Sequence, residues 1–495
     1  MVNLATNLTT SATRHADRTA VRLDAEALSY AALDDLSSRV AGWLEEKNVG
    51  PGDRVGLMLP GVPAFVALYY GILRVGGVVV PMNPLLKERE IRHYVADSGA
   101  KLVFVWHEMV PAAEGAIEAA GSRLVPVAPD AVEVVANWPV LPETVDRADS
   151  DTALILYTSG TTGSPKGAEL THSNLRLNAA ACGDMMEVTS DDVILGCLPL
   201  FHAFGQTCVQ NNAVQAGATV TLLPRFTAEG ALQVIERDGV TVLQGVPTMY
   251  VALLDAGGGV ADTATLRLCV SGGAALPAEI LRSFADVFGV PILEGYGLSE
   301  TSPTSSFNHR GDTRAGSIGK PLSGVEMKIV DDTGAELAAG EVGEIVIKGP
   351  NVMKGYWNRP EETAAAVKDG WFRTGDIGRR DADGFFFIVD RKKDLIIRGG
   401  YNVYPREVEE LLYEHPAVLE AAVVGVPDPT YGEEVAAAVV LKPGADASAE
   451  QLREYVKDRI SPQKYPRHVW LVDSLPKTAT GKIVKREIEF PVGRG

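Results

Sequence analysis

Cysteine is scarce in this sequence: 495 residues hold four, Cys182, Cys197, Cys208 and Cys269. None forms a C-x-x-C pair and no histidine cluster lies near them, so neither a disulfide framework nor a zinc site is expected. Buried free thiols in a reducing compartment are the plain reading. An unbroken apolar run is lacking too. The greasiest stretch, "AFVALYYGILRVGGVVVPM", is interrupted by Arg74, Gly76 and Gly77. It reads as a buried helix followed by a buried strand, not as a membrane span. The first residues, "MVNLATNLTTSATRHADRTAVRL", show no apolar signal core, so a cytoplasmic location is expected. Positive charge is in deficit, with 46 Lys+Arg against 64 Asp+Glu and a net charge of −18. That argues against broad binding to nucleic acid or anionic membranes, and any anionic ligand must be met by a local set of donors. There is no internal repeat and no low-complexity run, although 50 glycines and 29 prolines imply many turns.

What is present is an ordinary globular composition, 46% hydrophobic and 22% charged, long enough for two to four structural units. Helical and strand patterns alternate through the first two thirds. "LSYAALDDLSSRVAGWLEEKNV" has apolar residues at helical spacing behind a Ser29 start. "DRVGLMLP", "VVVPMN" and "AKLVFVW" read as apolar strands separated by helices, and "ATVTLLP", "VTVLQGVP" and "LRLCVSGG" continue the theme. Repeating β-α units with apolar strands predict parallel sheets covered by helices. After about Gly311 the texture changes to strands joined by turns, then to a compact α+β set. "GFFFIVDRKKDLIIRGGYNVYP" reads as a strand pair with the charged turn "DRKKD" between its members, and that turn, Asp390–Asp394, is the best boundary.

Four segments carry chemistry. "YTSGTTGSPKG", Tyr157 to Gly167, attaches to the apolar run "TALIL" and offers backbone N–H groups and hydroxyls to one point, a nest for phosphate oxygens with Lys166 as a mobile charge. It is not the G-x-x-x-x-G-K-[ST] loop, because here the lysine follows a proline. "LEGYGLSETS" fails the dinucleotide pattern, since Glu300 stands where the third glycine would be. A carboxylate flanked by Ser299 and Thr301 suits Mg²⁺, and equally an ordinary acidic helix start. Asp376 in "FRTGDIG" could accept both hydroxyls of a ribose or could cap a turn. Lys482 follows a glycine in "LPKTATGK", on an exposed turn or a solvated basic tail.

Each segment is weak by itself; their order is not. "YTSGTTGSPKG", "PLFHAFG", "VSGGAALP", "EGYGLSE", "GEIVIKGPNVMKGYWN", "WFRTGDIG", "DRKKDLIIRGGYNVYPREVE" and "LPKTATGK" resemble the successive core motifs of the adenylate-forming superfamily, which includes acyl-CoA synthetases, nonribosomal-peptide adenylation domains and luciferases. The resemblance spans almost the whole chain and is closest to the fatty-acyl and aryl-CoA ligase branch. It implies an α/β fold: a large N-terminal AMP-binding domain over 1–392, built of parallel sheets and a distorted β-barrel, and a small mobile α+β domain over 393–495, with Lys393 at the hinge.

It also implies a chemistry. A carboxylate attacks the α-phosphate of ATP, giving an acyl-AMP and pyrophosphate, and a thiol then displaces AMP. By motif match, Thr158, Ser159, Gly160, Thr161, Thr162, Gly163 and Lys166 hold the β- and γ-phosphates, Ser299 meets the α-phosphate and Glu300 holds Mg²⁺. Gly272, Gly273, Ala274 and Tyr296 surround the adenine, and Asp376 and Arg391 bind the ribose. Lys482 bridges the carboxylate and the α-phosphate, and Gly399 and Gly400 leave room for the pantetheine arm of coenzyme A after the small domain rotates. His202, Phe204, Val246, Thr248, Met249, Ser271 and Gly297 are expected around the acid; they are mostly apolar or small, so an apolar tail is expected. His202 is assigned to the pocket wall with no acid–base role. Gly295 stands where relatives that take dicarboxylates have an arginine, which disfavours a malonate-type acid. The substrates implied are a medium- or long-chain fatty acid, ATP and coenzyme A. An aryl or arylpropenoic acid is the nearest rival, and loading of a carrier-protein thiol is a second. A homodimer is left open.

Overall fold

The computed structural model describes residues 2–158, 165–257, 261–392, 394–478 and 481–488. A seven-stranded sheet has the order Gly355–Tyr356, Lys166–Thr171, Thr152–Thr158, Val78–Pro81, Arg54–Met58, Leu102–Trp106, Arg123–Val127. Its last five strands are parallel, as the β-α repeats require, and the two pairings at the other edge are antiparallel because Lys166–Thr171 runs the opposite way. A second sheet of nine strands is parallel across its centre, where Val242–Gly245 lies between Val193–Gly196 and Leu268–Ser271.

Local chemistry explains the helices between them. Ser29 caps the helix Tyr30–Glu46 by accepting from the Ala32 N–H. Pro63 opens the helix Pro63–Arg74, where its missing N–H costs nothing. Every residue of that helix is buried, so its unbroken apolarity marks a core element and not a membrane span. Arg74 ends it by pairing with Asp34 at 2.6 Å. Fully buried side chains such as Phe65, Leu33 and Phe104 each contribute about 1.5–3 kcal/mol of transfer free energy to this interior. Among the described residues no helix is long and apolar enough to cross a membrane.

Where the sequence reading expects a distorted barrel, the described residues form an open antiparallel sheet, Glu326–Val330, Val342–Lys348, Trp371–Arg380, Val367–Lys368, with Phe386–Arg391 also paired to the third of these and no pairing between the end strands. Another expectation needs correcting here. Phe386–Arg391 and Ile396–Arg398 are not a strand pair. The first pairs with Trp371–Arg380, and the second with Tyr401–Val403 and Gly432–Leu441. The charged turn between them carries the chain out of one sheet and into another, whereas a hairpin turn would have joined neighbours. The sheet it enters packs the helices Pro405–Tyr413 and Ala449–Lys457 over a hydrophobic cluster of its own, which includes Val408, Leu412, Val423 and Leu452.

Candidate active site

A cleft of about 1140 Å³ runs between the parallel sheets and this C-terminal sheet and helix layer. Its walls come from strand ends and the loops after them, where backbone groups are free to meet a ligand. Thr158 and Lys166 face one another across the antiparallel pair Thr152–Thr158 and Lys166–Thr171. The apolar run before the loop therefore supplies the outgoing strand, and Lys166 starts the returning one. Ser159, Gly160, Thr161, Thr162 and Gly163 lie outside the described residues, as does Lys393.

Glu300 sits opposite this hairpin, on the turn that follows the strand Ile292–Gly297. Its Oε1 accepts from the Tyr356 hydroxyl at 2.9 Å and lies 3.5 Å from Thr158 Oγ1. Burial and the Glu300 charge push the Tyr356 hydroxyl pKa up, so this phenol stays a donor. Lys166 Nζ lies 5.4 Å from the centre of the Tyr356 ring. Tyr356 is the residue the sequence reading passed over. It lies in the motif "KGYWN", where nothing local distinguishes a phenol that donates to a carboxylate 56 positions away from one that packs. Among the described residues no cluster of three His, Cys, Asp or Glu could hold a metal by itself. The single carboxylate of Glu300 fits a Mg²⁺ ion whose shell is completed by phosphate oxygens and water.

A second polar set stands deeper. Asp376 and Arg391 are register partners on adjacent antiparallel strands and form an ion pair at 2.7 Å. The Tyr296 hydroxyl donates to the other Asp376 oxygen at 2.5 Å. Asp376 is only 2% exposed, but Arg391, Gly375, Thr374 and Tyr296 all line the cleft. Gly272, Gly273 and Ala274 line the facing wall directly after Leu268–Ser271. A Cβ at Gly272 would meet the Phe204 ring at 3.1 Å, and Gly273 holds φ at +80°. Beneath this loop the Glu294 carboxylate accepts from the Leu276 N–H at 3.2 Å. Burial raises Glu294 to about 7, against the opposing pull of Arg406 and that N–H.

Lys482 enters from the C-terminal side. Its neighbour Gly481 has φ +78°, and its carbonyl lies 3.5 Å from Thr248 Oγ1. A Cβ at Gly481 would come within 2.7 Å of that hydroxyl oxygen. Across the cleft, burial and the Lys482 charge push His202 down to about 4, which leaves it neutral. The Phe204 N–H donates to His202 Nδ1 at 3.4 Å, so Nε2 carries the proton. His202, Phe204, Val246, Thr248, Ser271 and Gly297 all line the cleft, as do Ser299 and Glu300. Met249 does not. Helical spacing in Pro247–Ala256 turns Thr248 and Val251 to the cleft and Met249 into the core, where a Cβ at Gly245 would lie 3.5 Å from its sulfur. Gly399 and Gly400 are also away from the cleft, at the tip of the hairpin joining Ile396–Arg398 to Tyr401–Val403, with φ of +56° and +85°.

A fold of two parallel sheets with a small C-terminal layer, and one cleft whose walls carry a glycine-rich turn, a carboxylate and a lysine from that layer, define a nucleotide-using enzyme class. The AMP-binding enzyme family model matches residues 8–357, and the model of the AMP-binding enzyme C-terminal domain matches residues 407–482. The chain belongs to this adenylate-forming family, in its acyl-CoA synthetase branch. It is 39% identical to a long-chain-fatty-acid–CoA ligase of Bacillus subtilis (strain 168), over 97% of this chain and 93% of that one. It is also 39% identical to a feruloyl-CoA synthase of an Amycolatopsis species, over 96% of each chain. The ATP-bound crystal structure of MatB from Rhodopseudomonas palustris superposes with a TM-score of 0.92 at 35% identity, covering 98% of this chain and 97% of that one.

Proposed function

We propose that this chain is an ATP-dependent acyl-CoA ligase that activates a carboxylic acid with a largely apolar tail, a medium- or long-chain fatty acid in the first reading. The observation that carries the proposal is convergence: the Gly481–Lys482 turn brings the Gly481 carbonyl to Thr248 and the Lys482 charge to His202, in the same cleft whose other walls hold Glu300, Tyr296 and Arg391. In this reading the acid and ATP lie on opposite sides of the Lys482 ammonium.

Two anions must approach for a carboxylate oxygen to attack the α-phosphorus. As the new P–O bond forms, the bond to pyrophosphate breaks and acyl-AMP results. Lys482 offsets the negative charge of both groups as they meet, a task for a point charge on a flexible stem. Ser299 meets the α-phosphate, and Thr158 and Lys166 hold the departing pyrophosphate. The Asp376–Arg391 pair with Tyr296 takes the ribose, and the Gly272–Ala274 turn lets adenine approach the backbone. Glu300, oriented by Tyr356 and Thr158, would hold Mg²⁺, which when bound would supply charge neutralisation at the phosphates. Neutral His202 offers an N–H and no extra charge at the acid wall. In the second half-reaction the coenzyme A thiol attacks the acyl carbonyl and AMP leaves. Residues 1–392 then act as the nucleotide-binding domain and 393–495 as the mobile one, which brings Gly399 and Gly400 toward the cleft.

The test is loss of free coenzyme A thiol, dependent on ATP and magnesium, across a panel of fatty and aryl acids. Turnover of medium- or long-chain acids with AMP as the nucleotide product is expected. No turnover with any fatty acid sinks the first reading, and acyl-AMP without acyl-CoA would point to a carrier-protein acceptor.

A further inference from the structure

One face of the helix Glu88–Ser98 holds both ends of the phosphate hairpin. His93, Tyr94 and Asp97 stand on that face at helical spacing. The Tyr157 hydroxyl donates to Asp97 Oδ2 at 2.7 Å, and the Tyr157 ring stacks on Tyr94 with centres 4.3 Å apart. His93 Nε2 donates to the Pro165 carbonyl at 2.9 Å. Arg359 pairs with Asp97 Oδ1 at 2.8 Å, and Trp357 Nε1 donates to the Asp97 backbone carbonyl at 3.0 Å. Three of these partners are chain neighbours of side chains in the site. Tyr157 precedes Thr158, Pro165 precedes Lys166, and Trp357 follows Tyr356.

Apolar packing already holds this helix in place, since Ile91, Val95, Val80 and Tyr157 share one hydrophobic cluster. Such packing is not directional, so it does not set the angle at which the hairpin leaves the sheet. The Asp97 carboxylate does. Its side chain is only 13% exposed, and it accepts from a phenol on one oxygen and from a guanidinium on the other. Burial and the Asp97 charge push the Tyr157 pKa up, so the phenol stays a donor. The two bonds lead to one atom by separate routes. Through Tyr157, Asp97 fixes the strand end whose Thr158 Oγ1 lies 3.5 Å from Glu300 Oε1. Through Arg359, whose backbone N–H donates to the Tyr356 carbonyl at 3.1 Å, it fixes the segment whose Tyr356 hydroxyl donates to the same Glu300 oxygen at 2.9 Å.

We propose that Asp97 is a positioning residue for the adenylation step: it holds the phosphate hairpin and the Tyr356 segment in one register, so that Thr158, Lys166 and Glu300 converge on the phosphates of magnesium-bound ATP. The inference rests on the acyl-CoA ligase reading above and deepens it at the nucleotide end. Asp97 itself does not line the cleft. A side chain that only stabilised the fold would weaken both half-reactions alike. One that positions the phosphate-binding groups matters while pyrophosphate is still attached, and not afterwards.

Two variants test it. Asp97→Asn keeps the size of the side chain, but its single carbonyl oxygen cannot serve both partners. Tyr157→Phe keeps the stacked ring and removes its donor. Each should lower kcat/KM for ATP, read as pyrophosphate release, by about tenfold to a hundredfold, mainly through KM for ATP, while KM for the acid is unchanged. Thioester formation from supplied acyl-AMP should change by less than about twofold. Calorimetric titration with magnesium and a non-hydrolysable ATP analogue needs no acid, and it should show a similar weakening. Unchanged KM for ATP and unchanged analogue affinity in both variants overturn the inference, and so does an equal loss in both half-reactions. Tyr157→Phe keeps the test decisive if Asp97→Asn folds poorly. A native chain that binds the analogue yet releases no pyrophosphate with any acid is a different failure, that of the ligase reading, and the analogue affinities then still decide the role of Asp97.

Discussion

Lys482 and His202 face each other closely enough for the lysine charge to help hold the imidazole neutral. Two nearby cations would crowd one carboxylate, and one cation beside a neutral N–H donor would not. Lys482→Ala should therefore lower acyl-AMP formation, read as pyrophosphate release, by about a hundredfold or more. Thioester formation from supplied acyl-AMP should change little, since the phosphoryl step is already past. Equal loss in both half-reactions would remove Lys482 from the adenylation step. Glu294 yields a prediction about stability. Its carboxyl is raised by burial from 4.5 in the unfolded chain to about 7 in the fold, so the native state holds a proton that the unfolded state has released. Its contribution is fully present below pH 4.5 and is lost as pH rises through 7. The loss is about 3 kcal/mol at ~1.4 kcal/mol per pKa unit. Glu294→Gln keeps the acceptor for the Leu276 N–H and removes the titration. Urea midpoints of the variant measured from pH 5 to 8 should fall less steeply than those of the native chain. Parallel slopes would show that Glu294 is ionised throughout.

Short elements set how near these side chains come. The turn carrying Lys482 approaches Thr248 because Gly481 has no Cβ and accepts a positive φ. Gly481→Ala puts a methyl group against the Thr248 hydroxyl and strains the backbone. Acyl-AMP formation should fall about tenfold or more, while the urea midpoint moves by only about 1 kcal/mol, because the turn is a peripheral support of the fold. Gly481→Ala with Thr248→Ala relieves the clash but not the φ strain, so partial recovery is expected. No recovery would assign the whole effect to the backbone. The same scale explains what the sequence disclosed. Ser29, Pro63 and the apolar β-α alternation act within a few residues, so the elements and parallel sheets were legible. The ordered motifs named residues that the fold brings to one cleft, Arg391 and Glu300 among them, with Asp376 buried behind Arg391. Met249 was misplaced because a linear motif does not show which side of a helix faces a ligand. The supposed strand pair around "DRKKD" failed because turn composition does not report which sheet each strand joins.

At the scale of the molecule, the cleft has walls from both sides of the Asp390–Asp394 turn. Lys482, Ile483 and Glu409 come from one side, and Ser299, Thr248 and Gly273 from the other. The turn is held by modest contacts. Asp390 accepts from the Arg406 N–H, Arg391 pairs with Asp376, and exposed Lys392 pairs with Asp332 at 2.9 Å. Since the layer after the turn has its own hydrophobic cluster, its movement as a unit would not expose that core. A ligand spanning both walls is then linked to closure. If a non-hydrolysable acyl-AMP mimic binds only the closed arrangement, a concentration a hundred times its Kd lowers the open population by about a hundredfold. Limited trypsin digestion reads that population when opening is fast relative to cleavage. Without ligand, the first cut should fall after Lys392 and release two stable fragments. With the mimic, that cut should slow by a similar factor, while sites in exposed loops elsewhere are cut at unchanged rates. First cleavage elsewhere would displace the boundary from this turn. Protection spread evenly over all sites would mean that the ligand stabilises the chain as one body, with no separate opening of the C-terminal layer.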